Sequence, residues 1–294
     1  MFSYRHAFHA GNHADVLKHT VLIALLKHLT IKEAPLTVID SHAGAGLYRL
    51  DGDFAQTSAE AADGIFKLWG ANTLPSALKD YLEVIQSFNV QSKVLKVYPG
   101  SPFISQHMLR EQDKLKLFEL HPSDIKALSG NVEQLRAGRQ IAVIREDGFE
   151  GPRKFIPPPS RRALLLCDPS YEIKSDYAKV QTLIGESLKR FVTGTYAVWY
   201  PLIPRPEAHD LPKRLRTLAN RAGKPCLNLV LTVKNSKVIT AVQSGADLAK
   251  RPGLPASGMF IINPPHTLKA VMQEALPVMV ELLGQDKHAA FLVE

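Results

Sequence analysis

Residues 12–30, NHADVLKHTVLIALLKHLT, place Val16, Leu17, Val21, Ala24, Leu25 and Leu29 at three- and four-residue intervals, the period of one helical face. Asn12 stands ahead of the run as an N-cap, so the pattern predicts an amphipathic helix preceded by a polar arm over residues 1–11. The pattern then changes. LTVID at 36–40 is a short unbroken apolar run that ends in an acid and enters SHAGAG at 41–46, which predicts a strand and a glycine turn. Further runs follow: LKLFEL at 115–120, IAVIRED at 141–147, ALLLCD at 163–168, TYAVWY at 195–200, LNLVLTV at 227–233 and GMFIIN at 258–263. Helical patterns such as SDIKALSGNVEQLR and DYAKVQTLIGESLKR separate several of them.

Unbroken apolar runs suit strands covered on both faces, and their alternation with helices predicts an α/β domain built on a largely parallel, doubly wound sheet of seven strands. Residues 52–97 interrupt this order with helical stretches and no clear buried strand, and read as a small helical insertion within a single domain of residues 1–294. IPPPSRR at 156–162 reads as a stiff connector.

Composition narrows the class. With 294 residues, 45% of them hydrophobic, the chain has material for a large core. The longest early apolar stretch, TVLIALL at 20–26, is far too short to span a bilayer and lacks a signal-peptide cleavage pattern. Two cysteines, Cys167 and Cys226, are too few for a disulfide framework or a cysteine zinc site, so a reducing, cytoplasmic setting is expected, with no membrane and a monomeric chain. The formal charge of +8 favours a polyanionic partner.

In an open α/β sheet, ligands sit beyond the carboxyl ends of the strands, so the residues that close each run carry the chemistry. The first strand ends in Asp40, His42, Gly44 and Gly46, the second at Glu119 and the third at Asp147-Gly148. A carboxylate such as Glu119 accepts from ribose hydroxyls, and Asp147 accepts from an adenine amino group where glycine leaves room for the ring. Taken singly, each end also reads as an ordinary turn; in series, the three suit an adenosine. S-adenosylmethionine fits better than NAD, because HAGAG lacks the spacing that seats a pyrophosphate on a helix N-terminus.

The fourth strand then ends at Asp168-Pro169-Ser170-Tyr171, beside that cofactor. A rival stretch, Asn263-Pro264-Pro265, has the double proline that the first lacks, but it closes the seventh strand and is expected to be remote. Asp168-Pro169-Ser170-Tyr171 resembles the motif of amino methyltransferases, an Asp, Asn or Ser followed by two prolines and an aromatic residue. An exocyclic adenine nitrogen is a poor nucleophile because its lone pair is delocalised into the ring. If the Asp168 carboxylate and the Pro169 carbonyl both accept from it, the nitrogen is held toward a sulfonium methyl, while Tyr171 stacks on the extruded base. Cys167 points to the other side of its strand and reads as core.

Together with FSYRHAFHAGNHADVLKH at the start, DSHAGAGLY, YPGSP, FELHP, EDGF, DPSYE and SGMFIINPP, the chain resembles the bacterial RlmJ family of adenine-N6 methyltransferases of 23S ribosomal RNA. The resemblance spans essentially the whole chain. It implies a Rossmann-like class I fold, S-adenosylmethionine as methyl donor and 23S ribosomal RNA as partner. On matching positions it implies cofactor contacts from His19, His42, Ser101, Glu119, Asp147, Gly148 and Asp168, with Asp168 the catalytic acceptor and Tyr4 an RNA contact. Family members usually carry proline where this chain has Ser170, which bears on loop geometry. His6, His9, His13 and His19 have no acidic or cysteine partners at metal spacing, so no metal site is expected. Instead the arm and first helix are expected to cover the active site, with Arg5 and Lys18 adding positive charge for RNA. Arg205, Lys213, Arg214 and Arg216 are the expected RNA surface after the fifth strand, and Arg153, Lys154, Arg161 and Arg162 flank the proline run.

Overall fold

The computed structural model describes residues 6–51, 60–90, 94–235 and 253–294 of the chain. A single 3-10 turn at His6–Phe8 leads into α1 (His13–Leu29), and the Asn12 side chain accepts from the Asp15 amide at its start, as the sequence predicts. The helix is not amphipathic in the surface sense, however. Thirteen of its seventeen residues are buried, because the sheet covers one side and other helices cover the rest. Its polar residues therefore face the interior, where they must find partners.

After β1 (Thr37–Asp40) come β2 (Leu47–Arg49), the short helix α2 (Ile65–Trp69), α3 (Ser76–Ser87) and β3 (Val97–Pro99). β2 and β3 pair antiparallel, Tyr48 opposite Tyr98, which joins the two ends of the helical segment. This ladder escapes sequence reading because three-residue strands leave no periodicity. The order continues with α4 (Ser101–Met108), β4 (Lys114–Phe118), α5 (Pro122–Glu133), β5 (Ile141–Ile144), β6 (Ala163–Cys167), α6 (Ser175–Arg190), β7 (Thr195–Leu202) and α7 (Pro206–Arg221). It closes with β8 (Cys226–Thr232), β9 (Ala256–Ile262), α8 (Leu268–Leu283) and β10 (Ala290–Val293). None of these helices is long and apolar enough to cross a membrane.

The main sheet runs β10-β8-β9-β7-β6-β1-β4-β5. The seven expected strands are all in it, and β10 is an eighth, a mostly exposed four-residue edge strand with little burial to mark it in the sequence. β5, β4, β1, β6 and β7 are mutually parallel, and the chain reverses its direction of travel across the sheet on either side of β1. This is the switch point at which such sheets open a crevice. Successive residues serve opposite faces: Val38, Leu164 and Leu166 join the core beneath α1 and α8, while Ile39, Leu165 and Cys167 join the one beneath α6 and α7.

β9 runs antiparallel to both its neighbours, with Ile262 opposite Tyr196 at the start of β7. Asn263-Pro264-Pro265 therefore lies at the amino edge of the parallel strands, the edge opposite Asp168. Asn263 is a structural residue there. It adopts a left-handed φ of 55°, and its side-chain amide donates to the carbonyls of Val192 at 2.9 Å and Gly194 at 2.6 Å. Asparagine tolerates this backbone region better than other non-glycine residues. Asn263→Ala is expected to destabilise the fold by roughly 2 kcal/mol, a loss of several degrees in Tm by thermal denaturation, with ligand binding at the opposite edge unchanged.

Candidate active site

The centre of the crevice is the end of β1. Asp40 is fully buried and accepts from Ser101 Oγ at 2.6 Å and from the His42 amide at 3.3 Å. Burial pushes its carboxyl up to about 6, against the Ser101 hydrogen bond, and the nearby Asp168 adds to the rise. Ser41 Oγ lies 2.7 Å from His42 Nδ1, and burial lowers the His42 imidazole to about 4, so the ring is neutral at physiological pH.

On the β4 and β5 side, Glu119 accepts three backbone amides: Gly44 at 2.8 Å on Oε2, and Leu120 at 2.8 Å and His121 at 2.7 Å on Oε1. The carboxylate pins the glycine turn to the end of β4, and burial still raises it above the ordinary range despite these donors. Asp147 accepts from the Phe149 amide at 2.7 Å. Gly148 packs so closely on the β1 turn that a Cβ would fall on the Ser41 carbonyl oxygen, a backbone atom unable to swing aside.

All of these groups except the enclosed Asp40 line one cavity of about 530 Å³. His19, His42, Ser101, Glu119, Asp147, Gly148 and Asp168 all line it, as do Pro169 and Ser170. Residues from six separate parts of the chain thus meet at the switch point, with the carboxylates of Glu119 and Asp147 on its β4 and β5 side.

Lys18 departs from expectation. Its side chain is 6% exposed, and its ammonium sits 2.8 Å from Asp15 and 2.5 Å from Asp168. Burial alone would push it down, but the two carboxylates outweigh that and hold it well above the ordinary lysine value. Its charge is therefore committed to the aspartate of the fourth strand and not to RNA at the surface. Asp15, fully enclosed, also accepts from His6 Nε2 at 3.0 Å and from the Gly11 amide at 2.9 Å, and against its own burial His6 and Lys18 hold it well below the usual carboxylate range. An acid and a base three apart inside an apolar helix were the available signal for this pair.

Tyr171 departs as well. It does not line the cavity: its ring is 2% exposed, its hydroxyl donates to the Trp199 carbonyl at 2.7 Å, and it packs against Tyr177 with ring centroids 4.7 Å apart. A left-handed φ of 52° turns the side chain downward into the core, so in this conformation the ring anchors the loop and does not stack on a base. Arg205 donates to the Tyr171 carbonyl at 3.2 Å and so serves the same loop. Of the other expected surface cations, Arg216 pairs with Glu294, Arg214 with Gln181, and Lys213 lies 3.7 Å from Asp210. Arg162 donates to the carbonyls of Leu29 and Ala34, closing the end of α1, while Arg153 and Lys154 pair with Glu150 and Glu146. Tyr4 and Arg5 lie outside the described residues. Among the described residues, no group of three or more His, Cys, Asp or Glu side chains could hold a metal ion.

The chain matches the profile of the family described as ribosomal RNA large subunit methyltransferase D, RlmJ, over residues 33–293. It is 40% identical over 294 residues to the ribosomal RNA large subunit methyltransferase J of Haemophilus influenzae, covering 100% of this chain and 98% of that protein. To the protein of the same name in Escherichia coli it is 42% identical over 277 residues, covering 94% of this chain and 92% of that one. The crystal structure of a Legionella pneumophila protein, 30% identical, superposes with a TM-score of 0.84 over 97% of this chain and 98% of that chain. The chain therefore belongs to the RlmJ family of large-subunit ribosomal RNA methyltransferases.

Proposed function

We propose that this protein methylates the N6 amino group of an adenine in 23S ribosomal RNA, with S-adenosylmethionine as donor. The observation that carries the reading is the placement of Asp168 and Pro169 on the same cavity as Glu119, Asp147 and Gly148, so that acceptors for an amino group and for an adenosine face one space. The residues present fit the cofactor: Gly148 leaves room for a flat ring against the β1 turn, and His19 Nε2 is a buried nitrogen without a partner in the cavity wall. When bound, S-adenosylmethionine supplies an electrophilic methyl group on a sulfonium.

The chain's own residues do the rest. Glu119 accepts from ribose hydroxyls with the lone pairs its three amides leave over, and Asp147 accepts from the adenine amino group of the cofactor. Asp168 and the Pro169 carbonyl accept from the two hydrogens of the target amino group, which orients the nitrogen lone pair toward the methyl. Lys18 occupies one oxygen of Asp168 and so fixes the plane of the carboxylate while the other meets the substrate. Once the methyl has moved, the nitrogen is acidic and its proton passes to Asp168 or to water. The RNA is met by Tyr4 and Arg5 of the arm and by the exposed Lys213, and the helical segment between β2 and β3 forms an inserted subdomain.

Labelled methyl transfer from S-adenosylmethionine to unmodified 23S RNA, compared with DNA of matching sequence, tests the reading; transfer to DNA alone, or to neither, would overturn it. Asp168→Ala is expected to lower turnover by at least about 10³-fold while calorimetric affinity for S-adenosylhomocysteine stays within a few-fold. Ser170→Pro is expected to keep or raise turnover. Tyr4→Ala is expected to weaken turnover on RNA with cofactor affinity nearly unchanged; equal loss of both would instead report damage to the fold.

A further inference from the structure

The residues ahead of α1 rest on the inserted segment. Gly11 turns there with a left-handed φ of 78°, its carbonyl accepts from the Ile65 amide at 2.8 Å, and a Cβ on Gly64 would fall on that same oxygen. Glu60, in the 3-10 turn Glu60–Asp63 beside this contact, reaches two side chains. Its Oε1 lies 2.9 Å from His9 Nδ1, and its Oε2 accepts from the Asn12 side-chain amide at 2.9 Å. Burial raises the Glu60 carboxyl, but the hydrogen bonds from His9 and Asn12 outweigh that and hold it below the usual carboxylate range.

An ionised carboxylate has no proton to give, so both partners donate to it. The consequence falls on Asn12. With its amide nitrogen turned to Glu60, its oxygen faces α1, where it accepts from the Asp15 amide at 3.0 Å as the N-cap. The next contacts lead inward: Asp15 holds the Lys18 ammonium at 2.8 Å, and Lys18 meets Asp168 at 2.5 Å. Glu60 does not line the cavity, yet four contacts of 3.0 Å or less join it to the aspartate that does.

We infer that Glu60 is a positioning residue for methyl transfer, through which the inserted segment fixes the Asn12 amide and the start of α1, and with them the placement of Lys18 on Asp168. The inference rests on the reading of Asp168 as acceptor given above. It gives the insertion a duty in the chemistry besides any contact with RNA. Capping alone would not need Glu60, since aspartate caps a helix as well as asparagine does. An aspartate at the cap, however, has no amide proton to donate to a second carboxylate.

That difference supplies the experiment, run on the full chain as single-turnover methyl transfer to saturating 23S RNA, with active sites counted by calorimetric titration with S-adenosylhomocysteine. Asn12→Asp keeps the cap but sets two carboxylates face to face, and is expected to lower the rate about tenfold. Adding Glu60→Gln exchanges donor for acceptor across the same gap, while the glutamine oxygen still accepts from His9. The exchanged pair is expected to return to within about threefold of the wild-type rate. Glu60→Ala is expected to lose about tenfold, with affinity for S-adenosylhomocysteine changed less than about threefold in all three variants. Asn12→Asp at the wild-type rate, no recovery in the exchanged pair, or cofactor affinity that falls in step with the rate overturns the inference. If either single variant fails to fold, the other and the exchanged pair decide. Wild-type protein that transferred no methyl to 23S RNA would refute the proposed function, and this inference with it.

Discussion

A lysine ammonium enclosed by protein is the constraint on which the site depends. Removing such a charge from water costs several kcal/mol, and only opposite charges in close contact offset it. Lys18 meets two, Asp15 on its own helix and Asp168 at the end of β6. Asp15 is fixed in turn by the Gly11 amide and by His6, so the residues before α1, the helix itself and the loop after β6 are bound into one unit. The first helix is therefore not a cover laid over a finished domain. It is a wall of the cavity, and its charge sets how Asp168 is presented. Six carboxylates line the cavity, Glu119, Asp124, Asp147, Asp168, Glu172 and Asp176, against the two lysines Lys18 and Lys179, and such a surplus of acids is complementary to a sulfonium.

Sheet direction supplies the second condition. Four parallel strands, β1, β4, β5 and β6, bring Asp40, Glu119, Asp147 and Asp168 to a single edge, and the close approach of Gly148 to the Ser41 carbonyl locks neighbouring turns together. β9 shows what reversal does. Asn263-Pro264-Pro265 has the better double proline, yet its strand runs the other way, so the same kind of turn becomes a clasp on the backbone at Val192 and Gly194. A motif of this type has chemical meaning only at the edge where the cofactor is held.

What could be read from the sequence follows from how local each feature is. The strands of the parallel sheet were legible because burial on both faces leaves apolar runs, and His42, Glu119, Asp147, Gly148 and Asp168 followed from which residues close each run, whereas His19 and Ser101 came only from the family resemblance. The environment of α1 was not, since apolar spacing at one face cannot report that neighbours cover the others. β2, β3 and β10 are too short or too exposed to leave a pattern. Glu60 lies 48 positions beyond Asn12, a separation over which spacing carries no information. Lys18 and Tyr171 were recognised as important but given the wrong surroundings: residue type announced charge and ring, while only packing decides which way each one faces.

Ser170 can be understood from those surroundings. A second proline would restrain Pro169 from the following position by steric contact along the chain. Here the loop is instead held from below and from the side: the Tyr171 hydroxyl on the Trp199 carbonyl, its ring on Tyr177, and the Arg205 guanidinium on the Tyr171 carbonyl. These contacts tie the segment to β7, to α6 and to the start of α7, three elements that the sheet and its helix layer already fix. Restraint by neighbours in space replaces restraint by a neighbour in sequence, so Asp168 and the Pro169 carbonyl keep a defined place without the second proline. The same arrangement explains the burial of the tyrosine ring, because a loop anchored by its aromatic residue cannot present that residue to the cavity in the same conformation.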